Sequence, residues 1–143
     1  MEKDKRMTQA FRSKKALFST LWIFALFNYL YCDIMALMDP DMLSQFLTGT
    51  VGGMTINAAF LLGAAILMEI PIAMVLLSRV LRYKANRIAN IIAGTFMTVV
   101  QTATLFMGAP AGYYLFCSVI EIGTTAFIVW YAWQWKPTLA TVR

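Results

Sequence analysis

Four long apolar runs dominate the pattern along the chain, and each reaches the roughly 20 residues that a helix needs to cross a membrane. They cover residues 16–38, 54–80, 88–107 and 111–133. Backbone groups in lipid have no water to bond, so such runs must form helices. The pattern predicts an all-α fold, a four-transmembrane-helix bundle. It forms one membrane domain over 16–135, between a basic tail at 1–15 and a short tail at 136–143.

The connection between the first two runs predicts a short helix of its own. Asp39 and Pro40 are typical of a helix start, because proline fits the first helical position. Four apolar residues follow at helical spacing, namely Met42, Leu43, Phe46 and Leu47. We expect an amphipathic helix on the outer membrane surface, ended by the stretch 48–53. A tight turn is expected over residues 108–112, GAPAG, between the last two spans.

Charge placement predicts the topology. The 12 Lys and Arg lie at or beyond the ends of the apolar runs, on the side that also holds both termini. The positive-inside rule therefore predicts an N-in, C-in protein, with only Asp39 and Asp41 outside. The chain is 60% hydrophobic and 13% charged, whereas soluble domains carry about 25% charged residues. The net charge of +5 reflects topology, so we expect no nucleic-acid partner.

Several chemistries are excluded by composition. The chain has no histidine, which excludes a His metal site, a His-ligated haem and a Ser-His-Asp triad. The two cysteines, Cys32 and Cys117, form no CxxC motif, and we expect two buried thiols that behave as small apolar groups. No metal, no cofactor and no catalytic residue is predicted.

Two carboxyl groups carry the strongest functional signal. Glu69 and Glu121 lie near the middle of apolar runs that offer no nearby Lys, Arg or His, and an ionisable group in the bilayer core usually has a function. Polar residues should face the bundle interior. The predicted ligand-binding residues are Asn28, Asp33, Glu69, Gln101 and Glu121. Residues at helical spacing from these, or next to a kink, are secondary candidates: Tyr29, Pro71, Cys117 and Thr124.

Pro71 sharpens the interpretation of Glu69. Proline leaves the carbonyl four residues earlier, that of Leu67, without its donor and kinks the helix. A kink beside a buried acid could open a cavity. Proline is, however, common in membrane helices, so the kink alone does not decide between a functional and a structural role.

Three functional hypotheses remain open from the residues. The first is a pocket that binds or transports a cation, a protonated amine or a proton-coupled small molecule, with membrane lipid, a cationic or amphiphilic ligand and a second copy as partners. The second is a non-catalytic membrane subunit, whose protonated glutamates only join helices, each bond contributing about 0.6–2 kcal/mol. The third is a membrane enzyme on a lipid-soluble substrate, with Glu69 and Glu121 as acid and base.

Four segments also carry a resemblance to known families. They read LWIFALFNYLYCDIMALMDP, LTGTVGG, FLLGAAILMEIPIAMVLLSRVL and IEIGTTAFIVWYAW. They resemble an uncharacterised family of small bacterial four-helix integral membrane proteins, which implies a multi-pass protein of the bacterial inner (cytoplasmic) membrane. A second resemblance is to the sterol-isomerase and sigma-2-receptor group, in which acids of the first two spans face a cavity for amines. Asp33 and Glu69 would match those acids, although the histidine expected there is missing.

Overall fold

A computed structural model describes the backbone of residues 2–107 and 110–136, and the side chains of residue 9 and of 11 onward within them. The described chain is almost wholly helical. Its helices are α1 (Glu2–Met38), α2 (Pro40–Leu47), α3 (Ala58–Val80), α4 (Tyr83–Thr104) and α5 (Gly112–Gln134). Two short strands, β1 (Thr50–Val51) and β2 (Met54–Thr55), pair antiparallel between α2 and α3. The predicted all-α class is confirmed.

Within the described residues, three helices are long and apolar enough to cross a membrane. Their segments are Phe11–Met38, Ala58–Val80 and Gly112–Gln134. The 22-residue helix α4 is about 33 Å long, which is sufficient to cross a membrane, but it is more polar than these three segments. Its polar residues Asn86, Asn90 and Gln101 are buried against other helices.

The four long helices form a ring in the order α3, α1, α5, α4. The most extensive packing joins α4 to α5 and α1 to α3, and α1 also packs along α5. Each of α1, α4 and α5 buries one stripe of residues spaced by three and four positions, which is how packed helices present a seam to each other. The α1 stripe consists of Phe18, Trp22, Ala25, Tyr29 and Cys32.

One end of the bundle, which we call the basic end, holds the positively charged residues Arg12, Lys14, Lys15, Arg79, Arg82, Lys84 and Arg87. Trp135 closes this end: its buried ring lies 5.5 Å from that of Phe11 and 5.0 Å from that of Tyr83. Arg87 donates to the carbonyls of Ala132 and Trp133, which end α5. Trp135 therefore belongs to the core, whereas Trp133 is exposed.

The opposite end, the hairpin end, holds α2 and the two strands. As the sequence predicts, α2 begins at Pro40, and the Asp39 side chain accepts from the backbone N–H groups of Asp41 and Met42. The second apolar run was expected to be helical from residue 54, but the helix begins at Ala58. Gly52 and Gly53 adopt positive φ angles of 53° and 80°, and such a two-residue turn favours a β-hairpin over a helix.

Two further boundaries need comment. Helix α1 continues through the basic tail to Glu2, because a helix needs no apolar residues once it leaves the lipid. The predicted turn at 108–112 includes residues 108 and 109, which lie outside the described residues.

Candidate functional site

The half of the bundle near the basic end contains a buried polar network in which each side chain is paired. Trp22 Nε1 donates to Asn90 Oδ1 at 2.8 Å, and Asn90 Nδ2 donates to Asn86 Oδ1 at 2.7 Å. Asn86 Nδ2 in turn donates to the Ser78 carbonyl at 2.6 Å. The network joins α1, α3 and α4, and its satisfied bonds indicate a structural role. The sequence analysis missed it, although its members fall on the buried stripes of their helices.

A second group of buried polar residues lies toward the hairpin end. It differs from the paired network, because its central side chain has no hydrogen-bond partner within the described residues. Glu121 is 1% exposed, and neither of its carboxyl oxygens has a hydrogen-bond partner within the described part of the chain. The hydroxyl of Tyr29, also buried, is unpaired in the same sense. A buried polar group without a partner typically costs about 1–3 kcal/mol. Such a group calls for a specific explanation, such as a functional role or a bound water, ion or ligand.

The Glu121 carboxyl lies among residues of α1 and α5 that we call the Glu121 cluster: Tyr29, Cys32, Asp33, Cys117 and Glu121. Tyr29, Cys32 and Asp33 are all close enough to interact electrostatically with Glu121. Cys32 and Cys117 are also near each other, and both are free and buried. Asp33 is exposed. The cluster thus extends from the buried carboxyl of Glu121 to the exposed carboxyl of Asp33.

Three other predicted site residues already have partners. Gln101 is buried and its Nε2 donates to Ser118 Oγ at 2.9 Å, joining α4 to α5. Thr124 Oγ1 donates to the carbonyl of its own helix at Ile120. Asn28 is half-buried and donates to the Phe24 carbonyl. Gln101 and Thr124 therefore already donate to acceptors on α5, whereas Asn28 bonds its own helix.

Glu69 does not join the cluster. The structure exposes its side chain, which differs from the expectation that it faces the interior. The reason is the rotation of α3, which buries Pro71, Met74 and Ser78 on the opposite side of the helix. Ser19 fixes that rotation by donating to the Val75 carbonyl at 2.9 Å. Pro71 lies inside an uninterrupted helix, against the bundle.

The grooves on the surface of the described residues include two that no member of the Glu121 cluster lines. One of about 320 Å³ lies between α4 and α5. The other, of about 430 Å³, is lined by α3 and α4. Their linings are almost wholly apolar, as expected for surface facing lipid chains.

Comparison with known proteins identifies the family of the chain, and the function of that family is unknown. A family model described as a family of unknown function, DUF6326, matches residues 6–141. The chain belongs to DUF6326. This membership agrees with the resemblance to an uncharacterised family, and no match supports the resemblance to the sterol-isomerase and sigma-2-receptor group. Neither a curated protein nor a solved structure matches this DUF6326 chain.

Proposed function

We propose that this DUF6326 protein crosses the bacterial inner membrane four times, with both termini in the cytoplasm and α2 on the outer surface. The charge distribution supports this topology, because the basic residues gather at one end of the bundle. The packing supports α4 as a further span beside α1, α3 and α5, because its polar side chains Asn86, Asn90 and Gln101 face other helices rather than lipid.

The function we propose is the binding of a small cation or protonated amine at the Glu121 cluster. The observation that carries this proposal is the pair of buried carboxyl oxygens without a hydrogen-bond donor. An ammonium group supplies both a positive charge and N–H donors, and charge-assisted bonds of this kind are about twice as strong as neutral ones. The Tyr29 hydroxyl offers a further oxygen as an acceptor. In the absence of a ligand, a proton occupies the Glu121 carboxyl.

The contrast with the basic end supports a functional role over a packing role. The same bundle pairs every side chain of the Trp22–Asn90–Asn86 network, so the fold has the means to satisfy buried polar groups. A glutamate kept only for packing would be expected to find similar partners. Asp33 offers an approach to the cluster from the surface near the hairpin end.

A non-catalytic membrane subunit is the second candidate, and one set of contacts favours it. Gln101 bonds Ser118, and Thr98 bonds Thr125 at 2.7 Å, so polar residues at this level do join α4 to α5. The enzyme hypothesis gains no such support. Its proposed acid and base do not meet, since Glu121 faces into the bundle and Glu69 faces away.

The test is thermal stability of the detergent-purified protein with sodium, potassium, methylammonium or octylammonium chloride. Glu121→Gln is compared with Glu69→Gln, a matched control that makes the same change at the exposed glutamate of α3. A ligand at about 100 times its dissociation constant should stabilise by about 2.7 kcal/mol. We expect at least one ammonium or alkali cation to stabilise the wild type and Glu69→Gln, but not Glu121→Gln.

Infrared spectroscopy gives an independent readout. The carbonyl stretch of a protonated carboxyl should be present without ligand, should weaken when the stabilising cation is added, and should be reduced in Glu121→Gln. Equal stabilisation of all three proteins would contradict binding at Glu121. The absence of any stabilisation, with no infrared change, would favour the non-catalytic subunit.

A further inference from the structure

Helix α3 leaves most of its surface without a protein partner. In an apolar stretch of 18 residues, only 11% is buried in α3, compared with 28% in α1 and 33% in α5. Its buried residues are Pro71, Met74 and Ser78, and none lies between Ala58 and Ile70. One face of α3 therefore contacts the bundle near the basic end, and the remainder faces outward.

The outward face carries a regular stripe that we call the α3 seam. Its members are Leu62, Ile66, Glu69, Ala73, Leu76 and Val80. They are separated by alternating steps of four and three residues, the heptad spacing with which one helix packs along another. At about 100° per residue, the stripe lies nearly opposite the stripe of Pro71, Met74 and Ser78. All members are exposed except Ala73, which is half-buried.

Glu69 occupies the centre of this seam. It is the middle residue of the 23-residue helix, so it lies near the middle of the membrane. Lipid chains offer its carboxyl neither a donor nor an acceptor, which makes exposure there unfavourable. The other charged residue of α3, Arg79, is about 15 Å away along the helix. The seam thus has one polar group that requires a partner able both to donate and to accept.

We propose that a second copy of this chain packs along the α3 seam, with the two Glu69 carboxyls bonded to each other. Two copies inserted in the same orientation are related by a two-fold axis along the membrane normal, which brings identical seam residues face to face. In such a pair each carboxylic acid can donate to the other and accept from it, so the group is complementary to itself. A single polar residue in an apolar seam also fixes the register of the two helices.

This inference is independent of the cation site, because Glu121 faces the interior of its own bundle and Glu69 faces the neighbouring copy. The proposed dimer would remain if no cation binds. The cation site would likewise remain if the chain is a monomer.

Cysteine cross-linking in native membranes tests the interface. Leu62→Cys places a thiol on the seam, and Phe116→Cys is its control at matching depth. Both positions are the fifth residue of an apolar helix, and they are similarly exposed, at 63% and 69%. Leu76→Cys and Trp130→Cys form a second pair at the nineteenth position of the same helices. The native Cys32 and Cys117 are buried, so the wild type reports the background.

Under a thiol oxidant, we expect disulfide-linked dimers for both seam variants and background yields for both controls. A disulfide requires Cα atoms within about 7 Å, a distance that only residues near the two-fold axis reach. Equal yields from seam and control variants would indicate random collision and would overturn the proposal. Cross-linking through Phe116→Cys alone would place the interface on α5 and would also overturn it.

Substitution of Glu69 tests the carboxyl pair. Dimerisation, measured by energy transfer between labelled copies in vesicles, should weaken roughly eightfold or more for Glu69→Ala, the loss expected from two interhelical hydrogen bonds. Glu69→Gln should stay near wild type, because an amide also donates and accepts. Unchanged dimerisation in Glu69→Ala would reject the pairing. A wild type that stays monomeric, or that pairs only with a different protein, would reject the second copy.

Discussion

Replacing Glu121 with methionine should stabilise the unliganded protein. Methionine is similar in length and flexible enough to fill the same space, and it removes the two carboxyl oxygens that lack partners in the described structure. Each unpaired buried polar group typically costs about 1–3 kcal/mol. Since the side chain can relax, we expect a gain in unfolding free energy near the cost of one such group. The gain corresponds to a rise in melting temperature of roughly 2–4 °C per kcal/mol for a chain of this size.

The assay is thermal unfolding in detergent, followed by the fluorescence of the four tryptophans. Asn90→Leu is the matched control, because it replaces a buried polar residue whose hydrogen bonds are made. That change leaves the Trp22 indole N–H and Asn86 Oδ1 unpaired, and it should lower stability by about 1–3 kcal/mol. A Glu121→Met protein that melts as low as Asn90→Leu would refute this prediction, because it would show that the Glu121 carboxyl makes stabilising interactions.

Three further predictions concern stability and use the same unfolding assay. Gly94→Ala should destabilise by about 1–3 kcal/mol through overpacking, because its methyl group would lie 2.7 Å from the Val129 side chain. The control Gly123→Ala should be neutral or stabilising, because its methyl group would meet nothing within 4 Å. Equal effects of the two substitutions would contradict this packing. Arg87→Ala should lose about 1.5–3 kcal/mol, because a charged donor leaves the end of α5; Arg87→Lys should restore part of that loss. Asp39→Ala should cost about 0.5–2 kcal/mol through loss of the α2 cap, with Asp39→Asn close to wild type, and hydrogen exchange should show the loss confined to α2.

The helices of this protein could be predicted from hydropathy because lipid leaves the backbone no alternative. Capping chemistry likewise located α2, since Asp39 before Pro40 is a strong local signal. The start of α3 could not be placed this way, because the apolar residues Met54 and Ile56 satisfy the hydropathy pattern of a helix. The backbone conformation of Gly52 and Gly53 decides for a hairpin there.

The rotation of each helix was harder to predict than its position. Glu121 shares a face with Cys117 and Thr124, and all three are buried. Glu69 lies at a depth similar to that of Glu121, so the rule that polar groups face the bundle interior predicts burial for both. That rule considers contacts within one chain only, and the structure exposes Glu69. On α3, the contacts of Ser78 and of the Val75 carbonyl fix the rotation. These bonds join residues 8 and 56 positions apart along the chain, and a single sequence does not indicate which partners meet.

The paired network near the basic end has a consequence for the direction of access to the membrane interior. A solute that reached Glu121 from the hairpin end would meet, on the far side, indole and amide groups that already bond each other. To continue, it would have to break several buried hydrogen bonds at once, whereas leaving by the entrance disrupts none of them. If Glu121 binds a solute, release toward the hairpin end would therefore be easier than passage through this paired network.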